Sequence, residues 1–155
     1  MNVLISACLL GMDCRYDGKN KKIEHQLLQK LQEKYTLVPV CPEIYGGLPI
    51  PREPVERCGD RFVSKSGVDV TQQYQRGAQA ALGLARTLHC QMAILKERSP
   101  SCGSVRIYDG SFTGNLMVAD GVTAELLMQN GIRVYGESQI LQLIAESQDT
   151  AHKIR

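Results

Sequence analysis

The chain has 155 residues, of which 43% are hydrophobic, and its 18 basic and 16 acidic residues leave a formal charge of +2. This composition predicts a single domain over residues 1–155, and so small a basic excess, with no Trp and two Phe, argues against nucleic acid as a partner. No basic leader precedes the first apolar segment and no run approaches twenty apolar residues, so we expect no membrane partner and a cytoplasmic location.

The first third of the chain alternates between strand and helix patterns. An apolar strand is predicted over 2–8, and Asp17-Gly18 is a turn signal. Helical spacing of apolar residues predicts a helix over 23–34, and a second strand follows over 35–40. Residues 41–54 contain four prolines and two glycines. Because long irregular connections are uncommon in compact domains unless they have a function, we interpret this loop as the wall of a site.

The middle third contains the longest predicted helix. A short ribbon is expected over 61–67, and Asp69 or Thr71 can cap a helix that continues to about His89. An apolar strand is predicted over 91–96. After it, Pro100 and Gly103 within the segment 99–104 indicate a sharp turn around a single thiol.

The last third completes the alternation. A strand over 105–108 precedes a Gly/Ser/Thr-rich loop at 111–114 that we expect to be mobile or to cover a ligand. A helix over 122–130 and a strand over 132–135 follow, the segment 138–146 closes the fold, and the polar residues 147–155 are predicted to fray.

This alternation predicts an α/β fold, a three-layer Rossmann-like domain with a mostly parallel sheet. A dinucleotide fingerprint is absent, because Gly46-Gly47 is followed by prolines where a helix would be needed. We therefore expect no nucleotide cofactor.

Three cysteines follow predicted strands: Cys8, Cys41 and Cys102. In open α/β folds the ligand crevice lies beyond the carboxyl ends of the strands, so these thiols can converge although they are distant in sequence. A shared inorganic ligand would explain their placement. The alternative is that they are small buried hydrophobic residues, and placement alone leaves both interpretations open.

The other cysteines give weaker signals. No Cys-x-x-Cys pair is present, which argues against a zinc ribbon, a thioredoxin site and the short ferredoxin spacing. Cys90, between a helix and a buried strand, is predicted to belong to the core. Cys14 stands among charged and turn-forming residues that suggest the rim of a pocket, and for Cys58 the alternatives stay open.

Short motifs stand in order along residues 3–137. They are Ser6-Ala-Cys-Leu-Leu-Gly11, Cys14-Arg-Tyr-Asp-Gly18, Cys41-Pro-Glu43, Gly46-Gly-Leu-Pro49, Pro51-Arg52, Gly67-Val-Asp-Val-Thr71, Leu95-Lys96, Ser99-Pro-Ser-Cys-Gly103, Ile107-Tyr-Asp-Gly110 and Gly121-Val122. Together they resemble a family of small bacterial proteins, long filed as of unknown function, that includes an iron–sulfur-dependent thiouracil desulfidase.

The resemblance implies a four-iron four-sulfur cluster held by three cysteines, with one iron lacking a protein ligand. By motif it places the ligands at Cys8, Cys41 and Cys102. Thiolates suit such a cluster because they are soft anionic donors, and an open iron offers a Lewis-acid position to a soft substrate sulfur.

The resemblance also points to Glu43 and Ser99 as the groups that assist the reaction. Glu43 is two residues from a predicted ligand, where a carboxylate can take a proton from water that attacks the thiocarbonyl carbon. Its alternative is an ordinary exposed loop acid. Ser99 could orient the substrate or relay a proton, or it could hold the Pro100 turn by bonding to the backbone.

We therefore predict a cluster-dependent, non-redox enzyme of hydrolase or lyase type that converts a small thiobase such as thiouracil into its oxo form with release of sulfide. Two alternatives remain: an iron–sulfur or metal carrier without turnover, and a thiol enzyme with Cys102 as nucleophile. A carrier usually closes its cluster with four thiolates. We predict that none of Cys14, Cys58 and Cys90 supplies such a fourth ligand, with Cys14 the strongest rival because only five residues separate it from Cys8.

Overall fold

The structure is a computed structural model that describes the backbone of residues 1–153 and the side chains of residues 1–146. Its strands, numbered along the chain, are β1 (Asn2–Ser6), β2 (Thr36–Val40), β3 (Val55–Cys58), β4 (Arg61–Ser64), β5 (Met92–Leu95), β6 (Arg106–Tyr108), β7 (Leu116–Val118) and β8 (Arg133–Gly136). Its helices are α1 (His25–Lys34), α2 (Pro42–Tyr45), α3 (Thr71–Thr87), α4 (Val122–Gln129) and α5 (Ile140–Lys153).

Four strands form the central sheet in the order β2-β1-β5-β8, and every pair in it is parallel. Two small antiparallel hairpins, β3-β4 and β6-β7, stand apart from it. The α/β fold with a mostly parallel sheet is confirmed.

Side chains on alternate strand positions enter two separate apolar clusters, because successive residues of a strand point to opposite faces. One face joins β1 and β5 to α1 and α5 through a cluster that includes Val3, Ile5, Ile94, Leu31, Ile140 and Leu143. The other face joins the same strands to α3 and α4 through a cluster that includes Leu4, Ala93, Leu95, Ala81, Leu82 and Leu127. The sheet is therefore the middle of three layers, as predicted.

The order in which strands join the sheet reverses at β1, which pairs with β2 on one side and with β5 on the other. At such a topological switch point the connections leave toward opposite faces, and a crevice opens beyond the carboxyl ends of the strands. The Ser6 hydroxyl accepts a hydrogen bond from the backbone N–H of Lys96 at 2.9 Å and ties the two strand ends together.

The predicted elements differ most from the structure at three places. Strand β1 ends at Ser6, and residues 7–8 belong to a 3₁₀ turn over Ala7–Leu10. The loop over 41–54 begins with the short helix α2, which was not predicted. Both hairpins were predicted only in part, since β3 and β7 gave no signal. These elements are three or four residues long, too short for a periodic pattern to identify.

The predicted frayed tail, 147–155, falls where the structure describes no side chain. The backbone of α5 is helical to Lys153, and residues 154–155 lie outside the described residues. Within the described part of the chain, no helix combines the length and the apolar character that crossing a membrane requires.

Candidate functional site

A cavity of about 950 Å³ opens at the carboxyl ends of the central strands. All five residues predicted to form the site line it: Cys8, Glu43, Cys41, Ser99 and Cys102. The structure therefore brings the three predicted ligands and the two predicted assisting groups together in one place.

Cys8 and Cys41 reach the cavity from two neighbouring strands. Cys8 lies in the 3₁₀ turn after β1, where its carbonyl oxygen accepts the N–H of Lys21 at 2.9 Å. Cys41 is the residue between β2 and α2, and Pro42 occupies the first helical position, where its missing N–H leaves no bond unmade. Both thiols thus stand on backbone that hydrogen bonds or a proline ring restrain.

Cys102 is held by a tight turn. The Ser99 hydroxyl oxygen accepts the N–H groups of Ser101 at 3.2 Å and Cys102 at 3.1 Å, and Gly103 donates to the Ser99 carbonyl at 2.8 Å. A Cβ at Gly103 would lie 2.7 Å from that carbonyl oxygen, so the turn requires glycine there. Ser99 therefore does hold the turn by bonding to the backbone, which was one of its two predicted roles. Its hydroxyl hydrogen has no acceptor among the described residues and can still be donated into the cavity.

Cys14 lies deeper than the predicted rim. It is 8% exposed, lines the same cavity, and its thiol is within hydrogen-bonding reach of the thiols of Cys41 and Cys8. The hydrogen bond with Cys41 lowers the pKa of Cys14, but the contact with Cys8 and burial outweigh it and raise that pKa. The prediction was misled by its neighbours Asp13 and Asp17, which are exposed whereas Cys14 itself is buried.

The remaining two cysteines lie elsewhere. Cys90 is buried in the cluster between the sheet and α3, as predicted for a core residue. Cys58 is exposed at the end of β3, and its thiol contacts the carbonyl oxygen of Gly110 at 3.7 Å. Neither lines the cavity that the other four thiols share.

Glu43 is held on both carboxylate oxygens and is not a free loop acid. Its side chain is 14% exposed, and its Oε2 accepts the Nε of Arg52 at 2.9 Å as well as the Nη2 of the same guanidinium. Its Oε1 accepts the hydroxyl of Tyr74 at 3.0 Å. Burial, and secondarily the Glu43 carboxylate, raise the pKa of Tyr74, so this phenol stays protonated and acts as a donor.

Arg52 also fastens the proline-rich loop over the site. Its Nη2 donates to the carbonyl of Cys14 at 3.0 Å and its Nη1 to the carbonyl of Pro49 at 3.1 Å. The Arg52 guanidinium therefore links the Glu43 carboxylate to the backbone of Cys14 and to the backbone of Pro49 in the loop. Of the wall predicted over 41–54, the two ends, residues 41–43 and 52–54, line the cavity.

Replacing Arg52 by alanine is expected to destabilise the protein by about 3 kcal/mol, because it leaves a mostly buried carboxylate without its charge partner. Arg61→Ala is the matched control, since Arg61 pairs with Asp69 at the surface with 67% of its side chain exposed. The loss of stability in Arg61→Ala is expected to stay below about 1 kcal/mol. Urea unfolding of the two variants measures both, and equal losses would contradict the role assigned to Arg52.

Two of these contacts were missed by sequence reasoning. Arg52 belongs to one of the motifs that carry the resemblance, but no role is predicted for it, and none is predicted for Tyr74. Tyr74 does pack inward, stacked on Phe62 with ring centroids 4.9 Å apart. A single sequence gives no signal that its hydroxyl meets Glu43, because the two residues are 31 positions apart.

The donor set fits a cluster better than a single metal ion. Among the described residues, no group of three or more His, Cys, Asp or Glu side chains is arranged to hold one ion. In a cluster each thiolate binds a different iron, so the ligands surround a volume and do not meet at a point. Three soft thiols spread around one cavity satisfy that requirement.

Comparison with known protein families identifies the chain. A family model described as 2-thiouracil desulfurase matches residues 3–139. The chain belongs to this family. The resemblance predicted from the sequence motifs is thereby confirmed.

Two proteins similar to this chain match it over nearly their whole length. The uncharacterized protein YbbK of Bacillus subtilis (strain 168) is 40% identical, over 92% of this chain and 99% of its own. The solved structure of the [4Fe-4S]-dependent thiouracil desulfidase TudS (DUF523Vcz) superposes with a TM-score of 0.89 at 46% identity, over 96% of this chain and 98% of that one. Both the fold and the family therefore rest on agreement along the full domain.

Proposed function

We propose that this protein is a [4Fe-4S]-dependent desulfidase that acts on thiouracil or a closely similar thiobase. The observation that carries the proposal is the meeting of Cys8, Cys41 and Cys102 with Glu43 in one cavity of a 2-thiouracil desulfurase family member. The similarity to TudS, which is named for this cofactor and reaction, supports it.

The reaction balances without an oxidant or reductant. Water adds its oxygen to the carbon that carries sulfur, the carbon–sulfur bond breaks, and the two protons of the water leave with the sulfur as hydrogen sulfide. The thiobase thereby becomes the oxo base. The protein must bind the ring, accept a proton from water and provide for the departing sulfur.

Cys8, Cys41 and Cys102 are the residues that would hold the cluster. When bound, the cluster supplies a Lewis-acidic iron that can take the substrate's sulfur and polarise its bond to carbon. The three thiols come from three different connections of the fold, so the loss of any one is expected to lower the iron content. Cys90→Ser is the matched control for such variants because its thiol lies in the core away from the cavity.

Glu43 is the proposed base. A carboxylate has about four acceptor positions. Arg52 occupies two of them on Oε2 and Tyr74 occupies one on Oε1, so the remaining position on Oε1 is available to a water in the cavity. Because both partners are donors, they hold the carboxylate in a fixed orientation for the proton transfer.

Ser99 is the proposed donor to the substrate. Its oxygen accepts two backbone N–H groups, which directs its remaining hydrogen away from the turn. That hydrogen can bond to a ring heteroatom or to the new oxo group. Ser99 would then orient the thiobase substrate while it also shapes the Cys102 turn.

A thiol enzyme with Cys102 as nucleophile is disfavoured by the site. Burial raises the pKa of Cys102 to about 12, whereas activated cysteines have lowered pKa values.

The six cysteines are all free thiols in the structure. Free thiols of this number fit a reducing compartment, and we infer a cytoplasmic location on that ground.

The test of the proposed function is anaerobic reconstitution with iron and sulfide, followed by incubation with 2-thiouracil. We expect one equivalent of sulfide and one of uracil for each substrate consumed, over many turnovers and without an added reductant. Cluster-loaded protein that leaves 2-thiouracil unchanged would contradict the desulfidase assignment.

A carrier is the second candidate, because the Cys14 thiol lies against those of Cys8 and Cys41. We expect Cys14→Ser to retain the iron content of the wild type, and we expect 2-thiouracil to perturb the visible spectrum of both proteins. Iron analysis and difference spectra measure these results. A variant that loses iron, together with a wild type whose spectrum ignores the thiobase, would favour the carrier.

A further inference from the structure

The loop between β6 and β7 forms one wall of the cavity, and none of the residues assigned a role above comes from this loop. Tyr108, Phe112 and Gly114 from this region line the same cavity as the thiols. Phe112 is half-buried. It is therefore an aromatic side chain with one part packed and the other facing the space that a substrate would fill.

The backbone at Phe112 has a conformation that bulky residues rarely adopt. Its φ is 56°, in the left-handed region, where residues other than glycine are uncommon. Such conformations persist only where the surrounding structure determines them, and they concentrate at ligand-binding sites.

A buried carboxylate fixes this conformation. Glu56 on β3 is 8% exposed, and its Oε1 accepts the N–H of Gly110 at 3.0 Å and the N–H of Phe112 at 3.2 Å. One oxygen thus binds two positions of the loop, on either side of Ser111. Glu56 itself belongs to the other hairpin, so the bond couples the two small sheets.

Close packing at Gly110 reinforces the attachment. A Cβ at this glycine would lie 2.8 Å from the Cys58 sulfur and 2.9 Å from the Arg57 carbonyl oxygen, so the loop rests directly on β3. Within the loop, the Asp109 carboxylate accepts the N–H of Ser111 at 2.9 Å. The loop is built as a rigid wall, which favours the ligand-covering interpretation over the mobile one.

We propose that the thiobase ring stacks on Phe112 and that Glu56 is a positioning residue that holds Phe112 in place. This inference rests on the proposed function, because it takes a planar heteroaromatic ring as the substrate. Every nucleobase offers a π-face, and stacking on an aromatic side chain binds it without requiring a charge. Among the other aromatic side chains that line the cavity, Tyr16 is less suited than Phe112, since it is 41% exposed and its ring already faces the Arg15 guanidinium at 5.6 Å.

The experiment measures the binding of 2-thiouracil to anaerobically reconstituted protein through the change in the visible spectrum, with the iron content measured in parallel. Phe112→Ala is expected to weaken binding about tenfold, the size of one base–aromatic stacking contact. Phe112→Tyr keeps the π-face and is expected to bind within about threefold of the wild type. Tyr16→Ala is the matched control, expected to change binding less than about twofold.

Glu56→Ala is expected to weaken binding to a similar degree, and Glu56→Gln, which keeps an acceptor oxygen, to restore most of it. The double variant with Phe112→Ala should bind no worse than Phe112→Ala alone, because Glu56 acts through Phe112. In turnover, Phe112→Ala should raise KM and leave kcat nearly unchanged, since stacking serves the bound substrate and the transition state alike.

The outcomes separate this inference from the proposed function. A wild type that binds no 2-thiouracil overturns both. A wild type that binds it, with Phe112→Ala binding equally well, overturns the stacking contact alone. Weakened binding in Phe112→Ala with none in Glu56→Ala overturns the positioning role of Glu56.

Discussion

Replacing Glu43 by glutamine is expected to lower the rate of sulfide release at least about 100-fold, while the iron content and the visible spectrum stay those of the wild type. Glutamine has nearly the same shape and keeps one oxygen for Arg52, so the fastening of the loop is largely retained. It cannot take a proton from water. The reaction is therefore expected to stop at the step that needs a base, and not for lack of a cluster.

Glu53→Gln is the matched control for this variant. Glu53 lines the same cavity but is exposed and bonded to the Ser66 hydroxyl. Removing its charge is expected to change turnover less than about twofold, within the small effects typical of surface substitutions. Wild-type turnover by Glu43→Gln would remove Glu43 from the mechanism, and an equal loss in both variants would point to the charge of the cavity as the cause.

Replacing Gly77 by alanine is expected to damage both stability and activity, because α2 packs backbone to backbone against α3 at this residue. A Cβ at Gly77 would lie 2.0 Å from the Pro42 carbonyl oxygen, and one at Gly46 would lie 2.0 Å from the Gln73 carbonyl oxygen. Backbone atoms cannot turn aside as a flexible side chain can. The variant must push α2 away from α3, and Cys41 and Glu43 move with it.

We expect Gly77→Ala to lose about 1–3 kcal/mol of stability, as overpacked cores do, and to hold less iron after reconstitution. Gly83 is the control on the same helix, since nothing lies within 4 Å of a Cβ placed there. Alanine at Gly83 is expected to stabilise the protein by about 0.5–1 kcal/mol, because glycine is unfavourable inside a helix. Unfolding in urea measures the two changes in stability, which are expected to have opposite signs. Equal effects of the two substitutions would refute the close contact.

Much of the fold could be predicted from sequence because the central strands are apolar and each is followed by a helix pattern or a turn. Strand β5, for example, is buried at all four positions, so its apolar run carries the signal by itself. The hairpins gave little signal because their strands are short and mixed: β7 has the exposed Val118 at its end, where 82% of the side chain faces solvent.

The convergence of three cysteines could be predicted because the carboxyl ends of parallel strands meet at one edge of a sheet. The environment of Glu43 could not. Its partners Arg52 and Tyr74 come from a loop and a distant helix, and only the folded chain brings them together. The same holds for Glu56, whose bonds to the loop of Phe112 span more than fifty positions.

The cluster assignment is tested most directly by the position of iron in crystals of the anaerobically reconstituted protein, located by anomalous diffraction at the iron absorption edge. We expect a four-iron cluster in the cavity, with the sulfur atoms of Cys8, Cys41 and Cys102 each bound to an iron. We expect one iron without a protein ligand, on the side where Glu43 and Ser99 face the cavity. A cluster whose fourth iron is bound by Cys14, or iron bound away from these three cysteines, would contradict this assignment.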